Sequence, residues 1–220
     1  RANVQHEDGH SYCFSCKTRF GEDMAQQATV VSMSERHTNC KTKGVVADIH
    51  DRKISKATAK KYSTQVKVTG NTVTHHIYQY FNGEGKHIAN KVRDVQNKRF
   101  WSEGELGVAG LFGQNIFNQS GKYITVCEGE VDAMSAYELM GSKWPVVSIK
   151  NGAASALENC KQAFNYLNKF ETVVLCFDND EPGKEAARKV AQIFEPNKCK
   201  IVSLESVSYT HLRAHETRHD

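Results

Sequence analysis

Between residues 65 and 92 the apolar positions recur at every second residue. Val66 and Val68, then the run from Val73 to Tyr80, then Ile88 to Val92 are separated by Thr69-Gly70-Asn71 and Asn82-Gly83-Glu84-Gly85. Alternation of this kind, broken by turns rich in Gly and Asn, predicts antiparallel hairpins. Just upstream, Ser55 precedes a helix-like segment at 56–62 and is suited to cap it. From residue 121 the pattern changes. Tyr123-Ile124-Thr125-Val126-Cys127 is a continuous, β-branched run that reads as a buried strand. After Gly129, the residues Val131, Met134, Ala136 and Leu139 are expected to form one helix face. The plan repeats in Val173-Val174-Leu175-Cys176-Phe177, an acidic turn, and a helix running from 183 towards 194 with Ala186, Ala187, Val190 and Ile193 as its stripe. The string VVSIKNGAA holds a third strand-to-helix turn. Strands alternating with helices call for a parallel sheet. The expected class is therefore mixed α+β and α/β, with a small antiparallel subdomain ahead of an α/β domain whose sheet is mainly parallel.

The turns after the strands carry the candidate chemistry. Glu128 follows the first run within CEGEVDA, and Asp178 and Asp180 follow the second within FDNDEPG. Parallel strands bring such turns to one carboxyl edge, where open α/β sheets bind ligands. Residues i and i+2 of an extended segment project to one side, so Asp178 and Asp180 are expected to face a common point. Crowded carboxylates raise one another's pKa unless a cation sits among them. Mg²⁺, or Mn²⁺ in its place, suits a few carboxylates completed by waters and phosphate oxygens. The competing reading is that these acids cap the following helices, where negative charge is favourable. Two matched turns favour the metal. Ser148 and Gly152 in the third turn are expected to line the same site.

The net charge of +4 hides an uneven distribution. Residues 36–100 hold 14 Lys and Arg against 4 Asp and Glu. A basic lobe ahead of an acidic metal site points to a polyanionic substrate. Lys91 and Arg93 share a strand face and Lys98 lies just beyond the turn, a row suited to nucleotide triphosphates or a template backbone. The bland alternative is a solvated Lys-rich strand that discourages edge-to-edge pairing. With 39% hydrophobic residues and 3 Pro the chain is expected to fold rather than remain disordered. No apolar run approaches a membrane span and no signal segment opens the chain, so a membrane partner is not expected.

Seven cysteines are an odd number, and Cys127 and Cys176 lie inside apolar strands, a usage that suits a reducing cytoplasm. Cys13-x-x-Cys16 supplies two thiolates from one turn, half of a tetrahedral zinc site. His6 or His10 could complete it, a redox role lacks the surrounding βαβ pattern, and inert surface cysteines remain the simple reading. A further Cys pair upstream of Arg1 explains the half-motif best.

Glu128-Gly129 with Asp132, then Asp178-x-Asp180-x-x-Gly183, resembles the Toprim signature of primases, topoisomerases and some nucleases. The order DRKIS, KVRD, LFG, EGE, FDND, preceded by DGHSYCFSC, resembles the primase half of the bifunctional primase–helicases of short-tailed phages across roughly residues 8–204. The resemblance implies Mg-dependent, template-directed synthesis of short RNA primers. Its substrates would be ribonucleoside triphosphates on single-stranded DNA, and it would work in the host cytoplasm beside a DNA polymerase. It implies Glu128, Asp178 and Asp180 as metal ligands, and Lys91 and Lys98 as catalytic cations. Arg93, Gly129, Ser148, Gly152 and Asp132 would contact the substrate or support the site. Cys13 and Cys16 would ligate zinc once an upstream pair is present.

The domains expected are the second half of a zinc ribbon at 1–21, a linker at 22–45, a basic subdomain at 46–116 and a Toprim domain at 117–204. Residues 205–220 match nothing in this pattern. His211, His215 and His219 recur there at four-residue spacing without apolar residues to hold a helix, and the tail reads as non-native. No Walker-type loop is present, so a helicase half, and the hexamer it would form, belong to a longer protein. Two other classes compete: a non-catalytic primase-like module that holds single strands for a helicase, and a Toprim nuclease. Retained acids oppose the first, and a zinc half-ribbon ahead of a basic sheet opposes the second.

Overall fold

The computed structural model describes residues 40–70, 72–117 and 120–202, together with the backbone of three short strands nearer the amino terminus. The chain divides into two compact units, Arg1–Arg36 and His37–Asp220. In the first, β1 (Asn3–Gln5), β2 (Ser11–Cys13) and β3 (Thr18–Phe20) form an antiparallel sheet in chain order. Cys13 ends β2, in register with Asn3 and Thr18. Cys16, most of the expected linker and the tail after Val202 lie outside the described residues.

The second unit opens with α1 (Lys56–Lys61), whose expected cap is present: Ser55 Oγ accepts the Thr58 amide at 3.3 Å. Next come β4 (Thr64–Thr69), β5 (Thr72–Phe81), β6 (His87–Asp94) and β7 (Phe100–Gly104), an antiparallel sheet in chain order. Strand β7 had no apolar alternation to announce it, because an edge strand with both faces largely in solvent has no side to pattern. Residues 40–45, expected in the linker, lie along this sheet. Val45 pairs with Val66, the Gly44 amide donates to Gln65 Oε1 at 3.0 Å, and the Thr42 amide donates to Glu103 Oε2 at 2.9 Å.

The expected parallel sheet follows, with order β11-β10-β8-β9. Its strands are β8 (Gly121–Cys127), β9 (Val146–Ser148), β10 (Phe170–Cys176) and β11 (Cys199–Ile201). Its helices are α2 (Glu130–Leu139), α3 (Ala156–Gln162), α4 (Phe164–Leu167) and α5 (Glu181–Ala191). Every strand pair in it is parallel. One core gathers Ile124, Val126, Val173 and Leu175 with Leu167, Phe170 and Val190. A second core joins the two sheets through Tyr62, Tyr78, Tyr80, Phe112 and Met134.

Two helix expectations resolve differently. Helix α5 buries Ala186, Ala187 and Val190 of its expected stripe, but it begins at Glu181, where Asp180 caps it, and ends at Ala191, short of Ile193. Helix α2 instead buries Glu130, Ala133, Met134 and Tyr137, and leaves Leu139 86% exposed. Met134 to Ala136 is a step of two residues, about 200° around a helix, so the residues chosen from sequence could not share one face.

Directional bonds pin the sheets together along β9. Phe112 and Ser148 exchange backbone hydrogen bonds of 3.0 and 3.1 Å, and the Tyr62 hydroxyl donates to the Val146 carbonyl at 2.9 Å. These bonds set the basic sheet against the parallel sheet and bring Lys91 of β6 to the carboxyl edge.

Candidate active site at the carboxyl edge of the parallel sheet

A cleft of about 570 Å³ is lined by Glu128, Gly129, Glu130, Asp132, Asn151, Gly152 and Asp178, with Lys91 and Phe100 from the antiparallel sheet. Two smaller hollows near Gly107 and Asn82, of about 320 and 450 Å³, hold none of these acids. Glu128, directly after β8, is clamped from two sides. Its Oε1 accepts the Ala153 amide at 3.0 Å and its Oε2 accepts the Asp178 amide at 3.3 Å. One carboxylate thus ties together the turns after β9 and β10. Gly152 holds φ 72° beside it, a left-handed conformation that favours glycine. At Gly129 a Cβ would stand 2.6 Å from Asp132 Oδ2, so only glycine permits the carboxylate to fold back over the helix start.

Glu130 is 4% exposed and answers two donors from the antiparallel sheet. The Tyr80 hydroxyl donates to its Oε1 at 2.5 Å, and Lys91 Nζ lies 2.7 Å from the same oxygen. Lys91 also donates to the Lys150 carbonyl at 2.6 Å and lies 5.3 Å from the centre of the Phe100 ring. Lys91 is therefore held in one position by three neighbours. Lys150 is buried, and its ammonium donates to the Gly107 and Ala109 carbonyls and to Gln162 Oε1. Burial pulls its pKa down, while three acceptors supply the hydrogen bonds a buried ammonium requires.

Burial and the nearby charge of Asp178 hold the Asp132 carboxyl above its ordinary value, against the Gly129 amide that pulls it down. Among the described residues, no three His, Cys, Asp or Glu side chains converge closely enough to form a ready-made metal cage. The donor set nonetheless fits Mg²⁺. It offers hard carboxylate oxygens around an open cleft. Mg²⁺ keeps several waters and takes one or two carboxylates plus substrate phosphates. Replacing Asp132 by Asn is accordingly expected to stabilise the metal-free chain by about 0.5–2 kcal/mol at neutral pH. Since the folded-state pKa is raised, the penalty exists above that pKa and fades as the pH falls through it, vanishing below the ordinary value. Thermal melts across pH, with and without Mg²⁺, check this: the advantage of the variant should shrink at low pH and also with the ion.

The expected site residues are thus only partly assembled. Glu128, Asp132, Asp178, Gly129, Gly152 and Lys91 meet at the cleft. Arg93 stands beside it, its guanidinium 5.5 Å from the Phe100 ring centre. Asp180 is not among the residues lining the cleft: its Oδ1 accepts the Gly183 amide at 2.8 Å and caps α5. Asp180 is itself extended, at φ −86° and ψ 171°, although β10 ends at Cys176. Ser148 is fully buried with its backbone committed to Phe112, and it does not line the cleft. Lys98 sits at φ 54° in the exposed β6–β7 turn, also away from the lining. Sequence reasoning gave Glu130 no role and missed Phe100 and Lys150. Tyr80 was the available signal for Glu130, since a tyrosine at an inward strand position needs a partner for its hydroxyl.

A parallel sheet with clamped acids at its carboxyl edge, faced by a basic antiparallel sheet, defines a Toprim-type core. The family profile described as Toprim-like matches residues 125–210. A DNA helicase/primase of Enterobacteria phage T3 is 30% identical over 213 residues, covering 92% of this chain and 37% of that protein. The primase fragment of the bacteriophage T7 primase-helicase superposes with a TM-score of 0.68 at 29% identity, covering 98% of this chain and 90% of that one. A primase-domain structure from T7, solved with its lagging-strand DNA polymerase, an RNA/DNA hybrid and dTTP, gives 0.68 at 31% identity, with 80% and 92% covered. The E. coli primase catalytic core shares the fold, with a TM-score of 0.54 at 13% identity over 84% of this chain and 69% of that one. The chain belongs to the Toprim-containing DNA primases of the phage bifunctional primase–helicase family. It spans little more than a third of the length of the T3 relative. Among the described residues no helix is long and apolar enough to cross a membrane.

Proposed function

We propose that the chain is the priming part of a phage replication protein. It would join ribonucleotides into short RNA primers on single-stranded DNA, by Mg-dependent attack of a 3′-hydroxyl on an α-phosphate with loss of pyrophosphate. One observation carries the reading: Glu128, Asp132 and Asp178 share a single cleft with Lys91, which reaches it from a different sheet. A bound Mg²⁺ would neutralise charge on the phosphate oxygens. The chain's own residues do the positioning. Glu128 and Asp178 would hold the ion, with Asp132 in support, while Asp180 fixes the turn that presents Asp178. Lys91, anchored by Glu130 and the Lys150 carbonyl, would place positive charge beside the triphosphate, and Arg93 would add charge at the rim. Electrostatic preorganisation of this kind is the main protein contribution to phosphoryl transfer.

Cys13 and Cys16 would ligate zinc together with an upstream pair and help read the template. A helicase and a DNA polymerase would be its partners and the host cytoplasm its place, a reading that the phage relatives support. The test is an intact-length version of the protein given single-stranded template, ribonucleoside triphosphates and Mg²⁺. Short RNA is the expected product. Template binding without any RNA would instead favour a non-catalytic module, and template cleavage would favour a nuclease.

A further inference from the structure

Phe100 is a large apolar ring in a cleft whose other lining groups are charged, polar or small. It is 52% exposed, and it is the one aromatic residue among the described residues of that lining. It begins β7, the edge strand of the antiparallel sheet. Strand alternation sends it to the face of Lys91 and Arg93, whose cationic ends stand 5.3 and 5.5 Å from its ring centre. Trp101 turns to the opposite face, where its ring meets His75 at 5.6 Å. The two cations brace the ring and leave half of it open to the groove.

We propose that Phe100 is the stacking platform for the base of the incoming ribonucleotide. This rests on the nucleotide site proposed above and deepens it. Charge complementarity names the occupant. A ligand that suits Lys91, Arg93 and a metal-binding acid cluster at one end, and a planar apolar ring at the other, has a polyanionic tail and a flat π-face. Every nucleobase offers such a face, so stacking supplies affinity without choosing a base. Base choice would then be left to the template.

The ring can be made its own reporter. In a Trp101→Phe, Trp144→Phe background, Phe100→Trp emission should be quenched by ATP with Mg²⁺. Inorganic tripolyphosphate should compete with ATP yet produce no quench itself. In the unlabelled chain, Phe100→Leu should weaken ATP about tenfold and leave tripolyphosphate affinity unchanged, while Phe100→Tyr stays within about twofold of the parent. The proposal is overturned if ATP gives no quench, if Leu binds ATP as tightly as Phe, or if single-stranded DNA quenches and ATP does not. It is equally overturned if Leu weakens tripolyphosphate as much as ATP, because the ring would then only brace Lys91. Failure of the wider reading looks different: the intact protein would make no RNA while the ATP quench persisted.

Discussion

A Glu128→Gln protein is expected to lose primer synthesis by on the order of 10²–10³-fold, with its template affinity nearly intact. Glu128 would be a metal ligand, so the loss of charge falls on the bound ion. The amide swap also breaks the clamp. The two carboxylate oxygens accept amides from two different turns, at Ala153 and at Asp178. A glutamine offers one oxygen and one donor, so one of those N–H groups would face another N–H. The turn after β10 would then shift, taking Asp178 with it. Two signatures separate these effects. A lost ligand raises the Mg²⁺ concentration needed for half-maximal synthesis. A displaced Asp178 lowers the rate even at saturating Mg²⁺. Synthesis of short RNA by an intact-length protein, titrated with Mg²⁺, reads both. Synthesis within threefold of the parent at every Mg²⁺ concentration would remove Glu128 from the centre of the site.

The double use of Glu128 shows how far the sequence could be read. Two strand–acid–helix units were legible from Tyr123–Cys127 and Val173–Phe177, because strands covered on both faces are written as unbroken apolar runs. The acids at their ends followed from topology alone. What sequence could not give was the aim of each carboxylate. Asp178 and Asp180 look equivalent in FDNDEPG, yet one lines the cleft and the other caps a helix. Ser148 looks like a site residue at a strand end, but the bridge to Phe112 carries the chain inward at that point. Lys91 was legible as a basic residue on a strand. Its anchorage was not, since Glu130 and Lys150 lie 39 and 59 residues away from it and meet it only through tertiary packing. Edge strand β7, which carries Phe100, was invisible because its residues follow no apolar period.

Phe112→Ala is expected to cost about 3–5 kcal/mol of stability, the range for truncating a fully buried phenylalanine. For a chain of this size that corresponds to a fall in Tm of roughly 6–20 °C. Phe112 is 0% exposed, and its ring stacks on Tyr62 at 5.3 Å and meets Tyr78 and Tyr80 at 5.8 and 5.7 Å. All three tyrosines carry a hydroxyl anchored by a neighbour. A cavity beneath them cannot be filled by sliding the rings without breaking bonds to the Val146 carbonyl, His76 and Glu130. That resistance to collapse places the cost towards the upper end of the range. Phe112→Leu should cost about 1 kcal/mol, since it keeps most of the apolar volume. The position also couples packing to chemistry. Tyr80 rests on Phe112 and holds Glu130, which in turn holds Lys91. Once scaled to the folded fraction measured by urea titration, the Phe112→Ala protein should still make primers several-fold more slowly than the parent. A loss below 1 kcal/mol would mean that the aromatic seam does not join the two sheets. Full specific activity in the folded fraction would mean that Lys91 is held without it.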